Sequence, residues 1–344
     1  MKNPSKKFGL PRLLIIGCGD IGMRCLPALR ARFRVFALTS SDDRRAALRA
    51  AGAVPVTGNL DRPASLARLR GLARHVVHLA PPPSAPGTGP ADRRTRLLRS
   101  VLARPPRPYI VPERVRAARK HTLVYASTSG VYGDCGGARI DETRTPHPLS
   151  PRGARRVDAE RAVRSLGRPA RQSRRMQPAA GRSRAHWRMP HGANLTDGGW
   201  RTSILRIPGI YAADRLPTAR LARGTPALRD EDDVYTNHIH ADDLAGIVVA
   251  ALWHGRPQRV VHASDDTEWK MAEYFDRVAD ALGQSRPPRV SREEAARVLE
   301  PALLSFMRES RRLDNGRLKQ ELRYRLRYPS VQTLLDEIGV SGMR

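Results

Sequence analysis

The fold is decided by the stretch Leu13-Leu14-Ile15-Ile16-Gly17-Cys18-Gly19-Asp20-Ile21-Gly22. Its four apolar residues predict a buried strand, and the Gly-x-Gly-x-x-Gly spacing predicts a tight turn into a helix. The first glycine permits the turn, the second lets the backbone approach a pyrophosphate, and the third lets helix and strand pack closely. The helix N-terminus offers free N–H groups to phosphate oxygens. We therefore predict dinucleotide contacts at Gly17, Cys18, Gly19, Asp20, Ile21 and Gly22.

Short apolar runs alternate with amphipathic stretches along the chain. The strands predicted in this way are 12–16, 34–38, 53–56, 75–79, 123–127, 202–206 and 259–262. The predicted helices are 20–32, 43–51, 63–72, 242–254 and 270–282, followed by a helical tail over 291–338 with turn signals at 314–316 and 328–329. Strands that alternate with helices form a parallel sheet with helices on both faces. The pattern predicts an α/β protein with a doubly wound parallel sheet, the Rossmann fold, and a small C-terminal α/β substrate lobe.

This organisation divides the chain into four parts. Residues 1–10 are an N-terminal extension, and 11–163 form the NAD(P)-binding Rossmann domain. Residues 164–201 contain nine arginines and one acid with no apolar periodicity, which is typical of a loop or a disordered insert. Residues 202–344 hold the last Rossmann strands and the C-terminal substrate lobe.

The composition bears on the class of protein. Lys and Arg number 62 against 33 Asp and Glu, so the formal net charge is +29. The arginines are spread along the chain and no nucleic-acid recognition motif accompanies them, so we expect no specific nucleic-acid partner, and association with polyanions stays a weaker alternative. The three scattered cysteines indicate a reduced compartment, and no stretch reaches the ~18 apolar residues of a membrane span. We expect a cytoplasmic protein with no membrane partner.

The end of the second predicted strand bears on the choice between NAD and NADP. An acid there would bind the ribose hydroxyls and favour NAD. The chain instead has Ser40 and, a little further on, Arg44, which suit a 2′-phosphate and favour NADP. Arg44 as the solvated first turn of a helix is nearly as good an interpretation, so both cofactors stay open. Further cofactor contacts are predicted at Asn59, Leu60, Leu79, Ala80 and Pro208.

Four further motifs follow the glycine turn along the chain. They are Tyr125–Asp134 with its Val-Tyr-Gly triplet, Pro148–Pro151 followed by Ala159-Glu160, Leu205–Tyr211 and His238–Ala245. Together with the glycine turn they resemble the extended short-chain dehydrogenases/reductases, the NAD-dependent epimerase/dehydratase group. The resemblance covers roughly residues 11 to 335 except the arginine-rich insert. It implies a Rossmann fold, a nicotinamide dinucleotide cofactor and a homodimer formed through the helices near Leu97 and Val157.

The resemblance also implies a catalytic set of Ser or Thr, Tyr and Lys. Thr128 falls at the hydroxyl position, Arg152 where Tyr is expected and Arg156 where Lys is expected. Arg156 can still donate to the nicotinamide ribose, whereas the Arg152 guanidinium stays protonated and makes a poor proton shuttle. These departures resemble the atypical subgroup of the family, which lacks the standard dyad. Tyr132, Tyr211 and Tyr235 are the alternative sources of a phenol.

The motifs together predict an NAD(P)-binding protein with oxidoreductase, epimerase or dehydratase chemistry on a small carbonyl or hydroxyl substrate. The alternative is a non-catalytic dinucleotide-binding sensor or scaffold, which the arginine at position 152 favours. His238 and His240 alternate as metal ligands on a strand could. No third ligand cluster accompanies them, so we expect no metal and interpret Asp242 as the N-cap of a helix.

Overall fold

The fold was analysed in a computed structural model, which describes residues 9–84, 87–104, 121–167 and 199–342. Its strands are β1 Arg12–Ile16, β2 Arg34–Thr39, β3 Val54–Thr57, β4 His75–His78, β5 His121–Thr128, β6 Arg139–Ile140, β7 Trp200–Ile207, β8 Gly209–Tyr211, β9 Ala227–Leu228, β10 His238–His240, β11 Arg259–His262, β12 Arg289–Val290 and β13 Arg312–Leu313.

The helices connect these strands and cover both faces of the main sheet. They are α1 Asp20–Arg30, α2 Arg44–Ala50, α3 Arg93–Leu102, α4 Pro151–Leu166, α5 Thr218–Ala222, α6 Ala241–His254, α7 Met271–Ala281, α8 Arg292–Val298, α9 Pro301–Phe306, α10 Gly316–Gln320 and α11 Val331–Gly342. Short 3-10 helices lie at Pro63–Leu69, Ser129–Val131 and Ala213–Arg215.

The seven-stranded main sheet has the order β11-β7-β5-β4-β1-β2-β3 and is parallel throughout. The first six strands from the β3 end follow the order typical of dinucleotide-binding sheets. The strand order runs outward from β1 in one direction to β3 and in the other direction from β4, so it reverses between β1 and β4. Leu13 to Ile16 have no exposed surface because helices cover both faces of the sheet. The predicted doubly wound parallel sheet is confirmed.

The three largest apolar clusters of the described residues hold the fold together. One packs α1 and α6 on one face of the sheet, and another packs α3, α4 and the 63–69 turn on the opposite face. A third lies in the C-terminal lobe between α7 and α11. The lobe also contains the small strand pairs β8–β10, β9–β12 and β6–β13, of which β6 contributes from the N-terminal half. Within the described residues no helix is both long and apolar enough to cross a membrane.

Some predicted element bounds differ from the structure. Residues 63–69 form a 3-10 helix because the segment starts on a proline and stops at Gly71, whose φ is +69°. The tail is broken into short helices by Pro301, which the prediction lacked, and by the two predicted turns at 314–316 and 328–329. The predicted insert begins inside α4 and ends inside β7, and its residues 168–198 lie outside the described residues.

Leu97 and Val157, which we expected at a dimer interface, are half-buried against apolar clusters of their own chain. The exposed face of α3 carries Arg93, Arg96 and Arg99. A twofold contact through this face would bring like charges together. The homodimer stays a prediction.

The strongest buried polar link in the fold joins β7 to α4. Arg206 donates two hydrogen bonds to the Glu160 carboxylate, at 2.8 and 3.0 Å, and the two side chains are 2% and 5% exposed. Substituting Arg206→Met leaves a buried carboxylate without its counter-charge. We expect a loss of about 3 to 5 kcal/mol in the free energy of unfolding, measured by urea denaturation.

The exposed pair Arg286–Asp280 provides the control, since Asp280→Asn removes a comparable hydrogen-bonded ion pair in solvent. We expect the urea midpoint of that variant to match the wild type. Equal midpoints for Arg206→Met and Asp280→Asn would contradict the structural role of the buried pair.

Candidate functional site

The glycine turn lies at the carboxyl end of β1, directly beside the end of β4. Gly17 has a φ of +81°, and a Cβ there would lie 2.4 Å from the backbone nitrogen of Ala80. Gly22 faces the Cys18 sulfur, where a Cβ would lie 3.1 Å away. A Cβ on Gly19, in contrast, would meet nothing within 4 Å. Only glycine fits at Gly17 for reasons of folding, whereas Gly19 leaves open space in front of the helix N-terminus.

The first turn of α1 offers its backbone amides to that open space. Gly19 is the N-cap and no side chain caps the helix. Unpaired N–H groups at a helix N-terminus bind phosphate oxygens, and the helix dipole adds a partial positive charge. Asp20 points away from this role, since its carboxylate pairs with Arg24 and Arg215. The turn fits the pyrophosphate of a dinucleotide.

Cys18 lies inside the turn as a packing residue. Its side chain is buried, and burial raises the pKa of the Cys18 thiol to about 11. A thiol with a raised pKa is a poor nucleophile at neutral pH. Cys18 therefore contributes its backbone to the turn, and Ile21 packs at the edge of the apolar cluster behind α1.

Arg44 reaches from the start of α2 back to the glycine turn. Its Nη2 donates to the Cys18 carbonyl oxygen at 2.8 Å. Ser40 is exposed at the end of β2, and the neighbouring Arg45 pairs with Asp42. The two residues predicted to bind the 2′-phosphate thus flank the same side of the turn, with the Arg44 guanidinium held in place.

The other predicted cofactor residues lie along the same edge of the sheet. Ala80 is buried against Gly17, and Leu79 is half-buried beside it. Asn59 is fixed by the Ser65 hydroxyl, which donates to its carbonyl, and half-buried Leu60 follows it. Pro208 is half-buried directly after β7. Since the carboxyl ends of parallel strands meet at one edge, these residues lie at the edge of the sheet where we predict the cofactor.

Thr128 ends strand β5 and begins the turn that follows it. Its hydroxyl oxygen accepts a hydrogen bond from the Gly130 N–H at 3.3 Å, which leaves the hydroxyl hydrogen to donate to another group. The start of α4 packs against this turn, since a Cβ on Gly153 would lie 2.7 Å from the Gly130 carbonyl oxygen. The structure therefore brings the predicted Thr128 and Arg152 regions together.

Arg152 and Arg156 have different environments. Arg152 is the second residue of α4, and partial removal from water, together with the nearby Arg156, lowers the pKa of Arg152. Arg156 is buried and turned towards β5, where its Nη1 donates to the Ala126 carbonyl oxygen at 2.5 Å and to the Tyr125 hydroxyl at 3.1 Å. Part of the Arg156 guanidinium group, which we expected to donate to the nicotinamide ribose, is thus engaged by the sheet.

A buried polar network that sequence reasoning missed lies beneath this turn. Besides the Glu160 carboxylate, Arg206 contacts the Tyr132 hydroxyl at 2.7 Å. That hydroxyl donates to Nε2 of His262 at 2.5 Å, because Nδ1 of His262 donates to the Asp314 carbonyl oxygen. The Ser127 hydroxyl donates to Glu160. The arginine and glutamate occur in the two family-like motifs, yet nothing in the sequence indicated that they pair.

This network removes Tyr132 as an alternative phenol. Burial raises the pKa of Tyr132 to about 12 and lowers that of His262 to about 4. Tyr211 is buried in the C-terminal lobe. Tyr235 is half-buried and lies on an open cleft. Tyr235 is thus the alternative that is accessible from a cleft.

That cleft, of about 640 Å³, lies between the turn after β5 and the C-terminal lobe. Its wall includes Asp134, Tyr235, Arg292, Arg308 and Ser310. The adjoining segment packs on the turn, since Arg311 donates to the Gly133 carbonyl oxygen at 2.8 Å and pairs with Glu309. The prediction of a helix over this segment was wrong, because residues 312–313 form β13 and pair with β6.

The histidines of the His238–Ala245 motif serve the C-terminal lobe. His240, rather than the expected Asp242, is the N-cap of α6, and its Nδ1 accepts from the Asp242 N–H. His238 stacks on Tyr274 and His240 on Tyr328. No group of three potential metal-binding side chains occurs in the described part of the chain.

Asp265 is a buried carboxyl group in this lobe. One oxygen accepts from the Thr267 N–H at 3.0 Å, and the other has no hydrogen-bond partner. Burial raises the pKa of Asp265 to about 8. The folded chain therefore keeps a proton that the unfolded chain releases near pH 4, so the associated stability is present below pH 4 and is lost as the pH rises through about 8.

We expect Asp265→Asn to remove this dependence. The free energy of unfolding of the variant, relative to the wild type, should rise with pH by up to about 1.4 kcal/mol per unit between pH 5 and 8. Urea denaturation at several pH values measures it. The exposed neighbour Asp266→Asn is the matched control, and a constant difference between Asp265→Asn and the wild type would contradict the prediction.

Comparison with known proteins yields structural relatives only. No protein-family model and no curated protein matches the chain. A conserved protein of unknown function from Silicibacter pomeroyi aligns over 97% of this chain and 100% of its own, with a TM-score of 0.70 and 24% identity.

Two proteins with NAD bound are also similar in structure. A double mutant of the dTDP-glucose 4,6-dehydratase DesIV from Streptomyces venezuelae, with NAD bound, aligns over 95% of both chains with a TM-score of 0.66 and 20% identity. MoeE5 in complex with UDP-glucose and NAD aligns over 97% of this chain and 100% of its own, with a TM-score of 0.62 and 18% identity. The chain therefore has the Rossmann-like fold of NAD-dependent epimerase/dehydratase-type structures.

Proposed function

We propose that the chain binds NAD or NADP, with a preference for NADP, and catalyses oxidoreductase, epimerase or dehydratase chemistry on a small carbonyl or hydroxyl substrate. The observation that carries the proposal is the glycine turn, where Gly17 packs on Ala80 and Gly19 leaves open space before the α1 N-terminus. The turn lies where the strand order reverses, between β1 and β4, which is the position at which such sheets bind ligands.

In the proposed site, different residues bind the cofactor and the substrate. The amides of the glycine turn bind the pyrophosphate, and Ser40 with Arg44 holds the adenosine side. When bound, a nicotinamide dinucleotide supplies hydride transfer. The Thr128 hydroxyl, whose oxygen is held by the Gly130 N–H, donates to the substrate oxygen and orients it.

The alternative of a sensor rests on Arg152, which cannot exchange a proton at neutral pH. Turnover of NADPH and NADH with a panel of carbonyl compounds and sugar nucleotides separates the two functions. Oxidation of the reduced cofactor with any member of the panel supports the enzyme. Binding of cofactor with no turnover across the panel overturns the enzymatic part of the proposal.

Gly19→Ala tests the binding site itself. Its Cβ has space in the folded chain but intrudes where a pyrophosphate approaches the backbone. We expect the Kd for NADPH to rise by about tenfold or more, measured by fluorescence titration, with an unchanged thermal midpoint. Gly339→Ala, in α11, is the matched control because a Cβ there also meets nothing within 4 Å. Unchanged NADPH affinity in Gly19→Ala would contradict the assigned site.

Arg44→Ala tests the preference for NADP. The guanidinium makes a charge-assisted hydrogen bond to phosphate that the ribose hydroxyl of NADH cannot replace. We expect the Kd for NADPH to rise about tenfold and that for NADH to change much less. Arg45→Ala, which removes the neighbour paired with Asp42, is the control. An equal effect of Arg44→Ala on both cofactors would overturn the NADP preference.

A further inference from the structure

Three arginines in the first two turns of α4 lack acidic partners. Arg152, Arg155 and Arg156 form no ion pair within the described ranges of the chain. Arg155 donates from Nη1 to the carbonyl oxygens of Thr88 and Gly89, and Arg156 donates to Ala126 and Tyr125. Their hydrogen bonds therefore go to neutral oxygens, which orient the guanidinium groups without neutralising their charge.

The uncompensated charge is largely removed from water. Arg155 and Arg156 are 7% and 6% exposed, and the Nε atom of each has no hydrogen-bond partner. Burying a cation without a counter-charge is costly, and the N-terminus of α4 adds a further partial positive charge. This end of the helix is thus poised to bind an anion.

The nearby acids are already engaged. Asp158 on the same helix pairs with Arg96, and Asp92 accepts from the Thr95 N–H and hydroxyl. Glu309, whose Oε2 lies 3.8 Å from the Cβ position of Gly130, pairs with Arg311. None of these carboxylates forms an ion pair with the three arginines in the described part of the chain, so the three positive charges are open to an anionic ligand.

Arg152 is the group that remains available to that ligand. It is exposed, it makes no hydrogen bond in the structure as described, and it begins the helix that packs on the Thr128 turn. A planar guanidinium matches the two oxygens of a carboxylate. Arg155 and Arg156 are turned to backbone oxygens, so Arg152 contributes a single unengaged guanidinium group. One such group suits a carboxylate better than a phosphoryl group that several cations surround.

We propose that Arg152 binds a carboxylate of the substrate next to the carbon that Thr128 orients, so the substrates are oxo acids and hydroxy acids. This inference rests on the proposed function, because Thr128 marks the reacting carbon only if the cleft binds a nicotinamide dinucleotide. The inference assigns Arg152 to substrate binding. The permanent charge of the guanidinium group prevents proton transfer but is what carboxylate binding requires.

The test is isothermal titration calorimetry of the full chain with oxalate, at saturating NADPH. We expect oxalate to bind the wild type and its Kd to rise about tenfold or more in Arg152→Gln. Arg152→Lys should lose several-fold, because an ammonium group cannot make the two-pronged contact. Arg161→Gln, an exposed arginine further along α4, is the matched control and should bind oxalate as the wild type does.

The remaining outcomes separate the two proposals. Unchanged oxalate affinity in Arg152→Gln, or no oxalate binding to the NADPH-loaded wild type, overturns the carboxylate site and leaves the proposed function standing. Arg152-dependent binding of inorganic phosphate that is tighter than that of oxalate overturns the carboxylate in favour of a phosphoryl group. Failure of the wild type to bind NADPH or NADH overturns the proposed function. Thermal midpoints equal to the wild type show that the variants are folded.

Discussion

The Arg206 guanidinium and the Glu160 carboxylate meet beneath the carboxyl edge of the sheet, almost completely out of water. Because a buried charge without its partner is costly, each residue fixes the position of the other. Strand β7 and helix α4 are thereby held at one separation. The same arginine holds Tyr132, and through it His262, so the turn after β5 and strand β11 are tied to the same point.

This constraint shapes the candidate site although none of its members faces the cleft. Helix α4 carries Arg152 at its start and Glu160 two turns later, so fixing Glu160 fixes where Arg152 emerges beside Thr128. The Tyr132 hydroxyl is consumed in the same network. The buried network thus holds the turn that carries the Thr128 hydroxyl and the start of α4 with Arg152 in fixed positions relative to each other.

The opposite end of the cleft depends on a steric constraint. Gly17 approaches the backbone of Ala80 so closely that residue 17 cannot carry a side chain. This contact joins the ends of β1 and β4 at the point where the strand order reverses. At Gly19, two residues later, a Cβ would meet no protein atom within 4 Å, so the fold places no steric constraint on this residue. A residue that the fold does not require to be glycine, in a turn that faces open space, is best explained by a ligand that approaches the backbone.

The sequence by itself determined the parallel sheet, the strands that form it and the position of the glycine turn, because these depend on local patterns of apolar residues and glycines. The carboxyl ends of parallel strands meet at one edge of the sheet, and this rule predicted a common location for Ser40, Arg44, Leu79 and Pro208. The tertiary structure alone decided that Arg206 pairs with Glu160, that Arg156 turns to β5 and that residues 312–313 form a strand with β6. Each of these depends on which residues distant in sequence become neighbours, and burial then decides which polar groups must satisfy one another.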